Sequence, residues 1–291
     1  MASRAGIAPY LQAAPLALVF LVFLVIPLIF IVMVSFWTYE NYSIQPAFVF
    51  QNYADVFDRC FTRLPLCTTL KTYLSTLQFC AIVWVLTLLI GFTIAYFLAF
   101  EVRSPAMQTG LFLVCTIPFW TSNVIRMISW IPLLGREGLV NQTLQGMGLT
   151  NAPVDWLLYS KFSVTLTFVH LFTFFMVVPI YNSMLRIDRS LIEAAKDAGA
   201  SGWQTLTNVI IPLSKTGIAI GSIFVITIVM GDFITIGLMG GQQIASVGKT
   251  ISVEISYLQF PIAAANAVVL LLTVLLMIFA LTRLVDIRKE L

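Results

Sequence analysis

Glu193-Ala194-Ala195-Lys196-Asp197-Ala198-Gly199, followed by Ile210-Ile211-Pro212-Leu213, decides how this chain is organised. Just before it, Ser190-Leu191-Ile192-Glu193 has the S-x-x-E spacing. There a serine hydroxyl accepts from the backbone three residues on and the glutamate reaches back, so a helix is expected to start at Ser190. It runs through Ala194, Ala195 and Ala198, strong helix formers of little bulk, and Gly199 stands where a left-handed residue ends such a helix. Ser201-Gly202-Trp203-Gln204 repeats the cap with glutamine, and a second helix is expected as far as Pro212, which can open the next span. Two short helices with a sharp corner form either a rigid docking knob, whose alanine face lets another protein approach closely, or an amphipathic connection on a membrane surface.

The flanks of this stretch are apolar, as is most of the chain. Of its 291 residues 59% are apolar and only 10% charged, with mean hydropathy +0.96, whereas soluble domains carry about 25% charge. A hydrocarbon core of ~30 Å needs about 20 apolar residues per crossing. Six such runs are read, at Leu16–Phe36, Tyr73–Phe100, Gln108–Leu133, Phe162–Leu185, Thr216–Ile236 and Ile262–Leu284. The expected fold is therefore an all-α integral membrane protein, with residues 1–72 forming the first span and an outer loop. Residues 73–291 form a core of five spans, which contains the knob at about 188–213. The first run follows Arg4 but is too long for a signal peptide and lacks a small-residue cleavage site, so it is expected to remain as a helix. Nine of the sixteen Lys and Arg fall in the shorter segments that are inner when the N-terminus is inside, which places both termini and the knob in the cytoplasm. Net charge is +3 and the basic residues are scattered, which excludes a nucleic-acid footprint.

The knob resembles the EAA loop of the binding-protein-dependent permeases of ABC importers. Further motifs are similar to the spermidine/putrescine branch of that family: Pro118-Phe119-Trp120-Thr121-Ser122 with Ile125-Arg126 and Trp130, Leu134-Gly135-Arg136-Glu137-Gly138-Leu139-Val140-Asn141, Ile187-Asp188-Arg189-Ser190, and Gly231-Asp232-Phe233 with Met239-Gly240-Gly241. Ile211 stands where the family often has leucine, and Lys196 and Asp197 fall at variable positions. The resemblance implies a type I importer (MetI-like) permease fold with a cytoplasmic coupling helix, in the bacterial inner membrane. It implies that Glu193, Ala194, Ala195, Asp197 and Gly199 dock an ATPase. It further implies two ATPase subunits that hold ATP and Mg²⁺, a second permease of different sequence, and a periplasmic solute-binding protein. The solute implied is a polyamine or related amine, with an amino acid, betaine or phosphonate as the alternative for the same fold.

Ionisable side chains inside spans are costly and face a cavity or a partner. Arg126 and Asp232 fall at similar expected depths, which permits an ion pair. With Trp120 and Phe233 they either flank a translocation path near its outer gate or lock the bundle. His170 is the only histidine, so no multi-histidine metal site exists within the chain, and it is expected to bond a neighbouring helix. Cys60 and Cys67, seven apart in the first outer loop, are either a disulfide or two free thiols. Gly248-Lys249-Thr250 lacks the glycine a phosphate-binding loop needs at Gln243, so no nucleotide is expected on this chain, and neither HExxH nor GxSxG occurs. An enzyme is thus a poor reading. A stand-alone secondary transporter would call for helices broken in matching halves, and none is expected here.

Overall fold

The apolar runs fold as helices, and the computed structural model describes residues 8–40, 43–58, 60, 67–241 and 243–284. Arg4 and the basic residues of the C-terminal tail, Arg288 and Lys289, on which part of the orientation expectation rests, lie outside the described residues. The chain opens with α1 (Ala8–Phe20) and α2 (Ile26–Val34), joined by a π turn at Leu21–Val25. A small hairpin, β1 (Thr38–Glu40) against β2 (Ser43–Gln45), and α3 (Gln51–Val56) follow. Next come α4 (Thr68–Tyr96), extended by a π turn at Phe97–Glu101, then α5 (Pro105–Trp120), α6 (Asn123–Ile128), α7 (Ile131–Leu134) and α8 (Leu139–Gly146). After α9 (Lys161–Met184) and α10 (Arg189–Asp197), α11 (Gly202–Thr205) runs through a π turn at Leu206–Ile210 into α12 (Ile211–Gly231). The described residues end with α13 (Ile234–Met239), α14 (Val247–Ser256) and α15 (Phe260–Leu284).

Five continuous stretches are long and apolar enough to cross a membrane: Gln12–Val34, Thr68–Glu101, Asp155–Met184, Gly202–Gly231 and Phe260–Arg283. Pro105–Trp120 with Asn123–Gly146 makes a sixth, bent by 90°. The all-α, six-span expectation holds, with one hairpin added between spans.

Three expected boundaries do not hold. The third span stops at Trp120 rather than Leu133, because Pro118 removes a donor from the last turn and Thr121 and Ser122 are extended. The fifth ends at Gly231 rather than Ile236, where Asp232 turns to an extended conformation. It also begins at Gly202, since Pro212 does not separate the second knob helix from the span. The Ile211 N–H reaches back five residues to the Leu206 carbonyl, and this wider turn accommodates the proline ring without a break. The same device stands before Pro27, where Ile26 bonds Leu21.

The chain divides into two compact units. One comprises Met1–Thr69 with Thr250–Leu271. In it the ring of Phe36 packs among Phe48, Phe50 and Tyr53 at 5.0 to 5.4 Å. Asn52 Nδ2 donates to the carbonyls of Ser35 and Trp37, each at 2.8 Å. Cys60 and Cys67 form a disulfide, which resolves the alternative left by their spacing.

The other unit comprises Leu70–Lys249 with Leu272–Leu291. Its core is the crossing of α9 over α12, drawn close by small residues, as helix pairs in lipid require. A Cβ on Gly217 would stand 2.4 Å from the Pro179 carbonyl oxygen and 2.9 Å from Ile180 Cα, and one on Gly221 2.7 Å from Met176 Sδ. α4 closes the third side: Trp84 Nε1 donates to Ser222 Oγ at 2.8 Å, and Gly91 faces Met176. Phe168, Met176, Ile180, Val225 and Met230 are fully buried here. Because the contact at Gly217 is with backbone, Gly217→Ala is expected to force the helices apart at about 1–3 kcal/mol. The thermal midpoint of the detergent-solubilised protein should fall accordingly; an unchanged midpoint would show that the crossing has slack.

Candidate functional site

The knob is a helix closed at both ends by local hydrogen bonds. Its first cap is Asp188, not Ser190: the Asp188 carboxylate accepts the Ser190 N–H at 2.9 Å, and α10 begins at Arg189. A carboxylate outcompetes a hydroxyl here because it also meets the positive end of the helix dipole. The bonds from Ser190, backbone first, hold the Asp188 carboxyl below its ordinary range. At the other end Gly199 has φ +84°, as expected. The Gly199 N–H bonds Lys196 O at 2.9 Å and the Ala200 N–H bonds Ala195 O at 3.0 Å, the paired bonds of a Schellman cap. The second box forms as expected, with the Ser201 N–H donating to Gln204 Oε1 at 2.8 Å and the Gln204 N–H to Ser201 Oγ at 3.3 Å. Glu193, Ala194, Asp197 and Gly199 are exposed and Ala195 is half-buried, so the alanine face is open to a partner.

The second cluster lies at the two breaks. α6 packs on α13, and both pack on α9, so the interruptions after Trp120 and after Gly231 come together. The expectation of unbroken spans is thereby corrected. Asp232 Oδ1 accepts the Thr235 N–H at 2.7 Å and its Oδ2 the Thr235 hydroxyl at 3.0 Å, which caps α13. Arg126 is buried and donates from Nη2 to Asn123 Oδ1, while its Nε has no partner among the described residues. No ion pair joins Arg126 to Asp232: each is engaged within its own helical turn, and equal depth counted along straight helices does not survive a 90° bend. Trp120 and Phe233 are exposed beside these breaks. His170 accepts from Trp130 Nε1 at 3.0 Å, between α6 and α7.

The first turn of α14 carries Gly248 and Lys249. The Val247 N–H donates to Thr76 Oγ1 and the Lys249 N–H to Ser246 Oγ, both at 3.1 Å. Gly248 is needed because a Cβ there would stand 2.7 Å from the Gly231 carbonyl oxygen. Among the described residues no three of His, Cys, Asp and Glu cluster as metal ligands. One pair escaped the sequence reading: both carboxylate oxygens of Glu254 accept from Asn266 Nδ2, at 2.8 and 3.0 Å. Glu254 was hidden in what reads as a loop, where a carboxylate carries no signal.

Residues 88–289 match the family described as binding-protein-dependent transport system inner membrane component. The chain is 31% identical over 258 residues to the spermidine/putrescine transport system permease protein PotB of Salmonella typhimurium, covering 88% of this chain and 86% of that one. It is 30% identical over 263 residues to PotB of Escherichia coli (strain K12), covering 90% and 92%. Among solved structures, a chain of a bacterial alginate ABC transporter, in complex with its alginate pentasaccharide-bound periplasmic protein, superposes with TM-score 0.73 over 95% of this chain and 93% of that chain. The identity there is 18%, and the likeness is one of fold.

Ionisation strengthens the Asp188 cap, because the anion also meets the positive end of the helix dipole. The contribution of the charge is therefore fully present above the unfolded value of about 3.9 and is lost as pH falls through the lower folded value. Asp188→Ala is expected to fray the first turn at neutral pH, read as faster amide exchange over residues 189–192 than in Asp188→Asn. Equal exchange in the two variants would assign the cap elsewhere.

Proposed function

The chain belongs to the binding-protein-dependent transport system inner membrane components as a multi-pass permease subunit of an ABC importer in the bacterial inner membrane, and we propose that its solute is a polyamine or related amine. The observation that carries this is the 31% identity, over most of both chains, to a permease named for spermidine and putrescine.

On this reading the knob faces the cytoplasm, together with both termini. The chain hydrolyses nothing: two separate ATPase subunits hold ATP and Mg²⁺, and each grips one permease. The second permease is a different chain, and a periplasmic binding protein delivers the solute. Glu193, Ala194, Ala195, Asp197 and Gly199 take up the ATPase movement. ATP closes the ATPase pair, the knob follows as a rigid body, and the spans swing so that the route opens outward; hydrolysis returns them. Rigidity matters, because a knob free to flex would absorb the movement. The double capping of α10 and the unbroken run from Gly202 to Gly231 support this role.

At the outer end, Arg126, Asp232, Trp120 and Phe233 border the path. Asp232 is held by Thr235 and by the backbone of the first turn of α13, and its negative charge attracts an ammonium group. Trp120 and Phe233 offer ring faces that attract a cation.

Two measurements test the reading. In the reconstituted complex, spermidine-loaded binding protein is expected to stimulate ATP hydrolysis several-fold over the empty protein, and absence of stimulation by any polyamine would retire the solute assignment. In the same assay Gly199→Val, strained by about 1–2 kcal/mol at its left-handed position, is expected to lose stimulation while the ATPase remains bound. For the path, Asp232→Asn keeps an oxygen for the Thr235 N–H and is expected to lower spermidine uptake. Full uptake in a well-folded variant would remove Asp232 from the route.

A further inference from the structure

α9, packed by α12, α13, α5 and α6, leaves one strip of its surface open. Phe168, Leu171, Phe172, Met176 and Ile180 are buried, whereas His170 and Asn182 are exposed and Phe174 and Val178 half-exposed. The open residues recur at every fourth position, so they form a stripe that winds slowly round the helix. α9 has 24 residues and spans roughly 36 Å at 1.5 Å per residue. His170 therefore lies well within the hydrocarbon depth, where a ring nitrogen turned to lipid is costly. Its Nδ1 accepts from Trp130, so Nε2 carries the proton and is the nitrogen left for a partner.

Below His170 the stripe meets a constriction. The ring of Phe119, next to last in α5 before the break, stacks on Phe174 with centroids 5.3 Å apart and meets Phe175 edge-on at 5.8 Å. One turn further along α9 the stripe opens into a cavity of about 650 Å³, which Val178, Asn182, Ser183 and Arg186 line from α9 and its end, and Thr216 and Gly217 from α12. Polar groups on the open side of a spanning helix, a ring stack across it and a partly polar cavity beyond the stack form one continuous arrangement.

We infer that the open face of α9 is this chain's wall of the solute route, with the Phe119–Phe174 stack as its barrier and the cavity at Asn182 as its inner vestibule. The inference rests on the importer reading and adds residues outside the outer cluster. The aromatic barrier excludes water when shut, and its ring faces let an amine-bearing solute pass by cation–π contact without holding it strongly. Asn182 and Ser183 then supply neutral acceptors where the route widens. Phe119 belongs to the span that ends at Trp120, so movement of that broken end shifts one half of the barrier directly.

The test is thiol accessibility in the assembled complex, with Cys80 and Cys115 replaced by alanine and the Cys60–Cys67 disulfide kept. Single Val178→Cys, Asn182→Cys and His170→Cys variants are treated, in inside-out vesicles without nucleotide, with a membrane-impermeant cationic methanethiosulfonate. Val178→Cys and Asn182→Cys are expected to react much faster than His170→Cys, since the shut ring stack keeps a charged reagent from the far side. Adding Phe174→Ala, or Phe174→Leu should the alanine variant fold poorly, is expected to bring His170→Cys up to the rate of Asn182→Cys. Protection of both inner positions would show that lipid or the second permease seals this face and would overturn the inference. So would His170→Cys reacting as fast with Phe174 intact, or staying unreactive in both double variants. Stimulation of ATP hydrolysis by loaded binding protein, measured on the same preparation, separates the two readings: stimulation with a sealed α9 face sinks the route alone, and reactive inner thiols without stimulation sink the polyamine assignment alone.

Discussion

Backbone N–H and C=O groups in hydrocarbon must bond within the protein, and the rest of this structure depends on how the chain meets that demand where its helices are interrupted. Within two of the apolar runs the solution is a π turn. Ile26 and Ile211 each reach back five residues, and the proline that follows each is absorbed without loss of the helix. After Trp120 and Gly231 the helices do break, and side chains take over: Asp232 supplies both oxygens to Thr235, and Thr76 receives the Val247 N–H. Asp232 and Thr76 are thus spent on exposed backbone, while Arg126 is held by the Asn123 side chain, so Arg126 and Asp232 serve separate turns rather than each other.

Sequence is a good guide wherever the controlling interactions are local. Gly199, the Ser201–Gln204 box and the existence of α10 could be read directly, since caps involve residues no more than five apart. Even there the start moved by two residues, because two adjacent groups could cap and their strengths, not their spacing, decide between them. The breaks were less legible. Trp120-Thr121-Ser122 and Gly231-Asp232-Phe233 sit in apolar surroundings that read as continuous helix. What stops the second is tertiary, with α14 lying against the Gly231 and Asp232 carbonyls at Gly248. The same holds for Glu254 with Asn266, twelve residues apart on different helices.

The site was legible in kind more than in position. The residue types at the two breaks are plain in the sequence, and α6, α9 and α13 gather there. The pairing there is not, since depth along an ideal helix is a poor coordinate once a span turns by 90°. The stripe on α9 was invisible for another reason. Its residues sit in a run that is apolar on every side, and only the packing of α12 on the opposite face shows which of them are left open.

Gly217 stands almost midway between Gly202 and Gly231, on the unbroken rod that joins the knob to the break at Asp232. It presses so closely on Pro179 that the rod cannot slide there without lifting off its neighbour. A bar held at its centre behaves as a seesaw. With arms of roughly 22 Å, a tilt of about 10° carries the two tips some 4 Å in opposite directions. One fulcrum made of a missing side chain is therefore enough to make opening at one membrane face coincide with closing at the other.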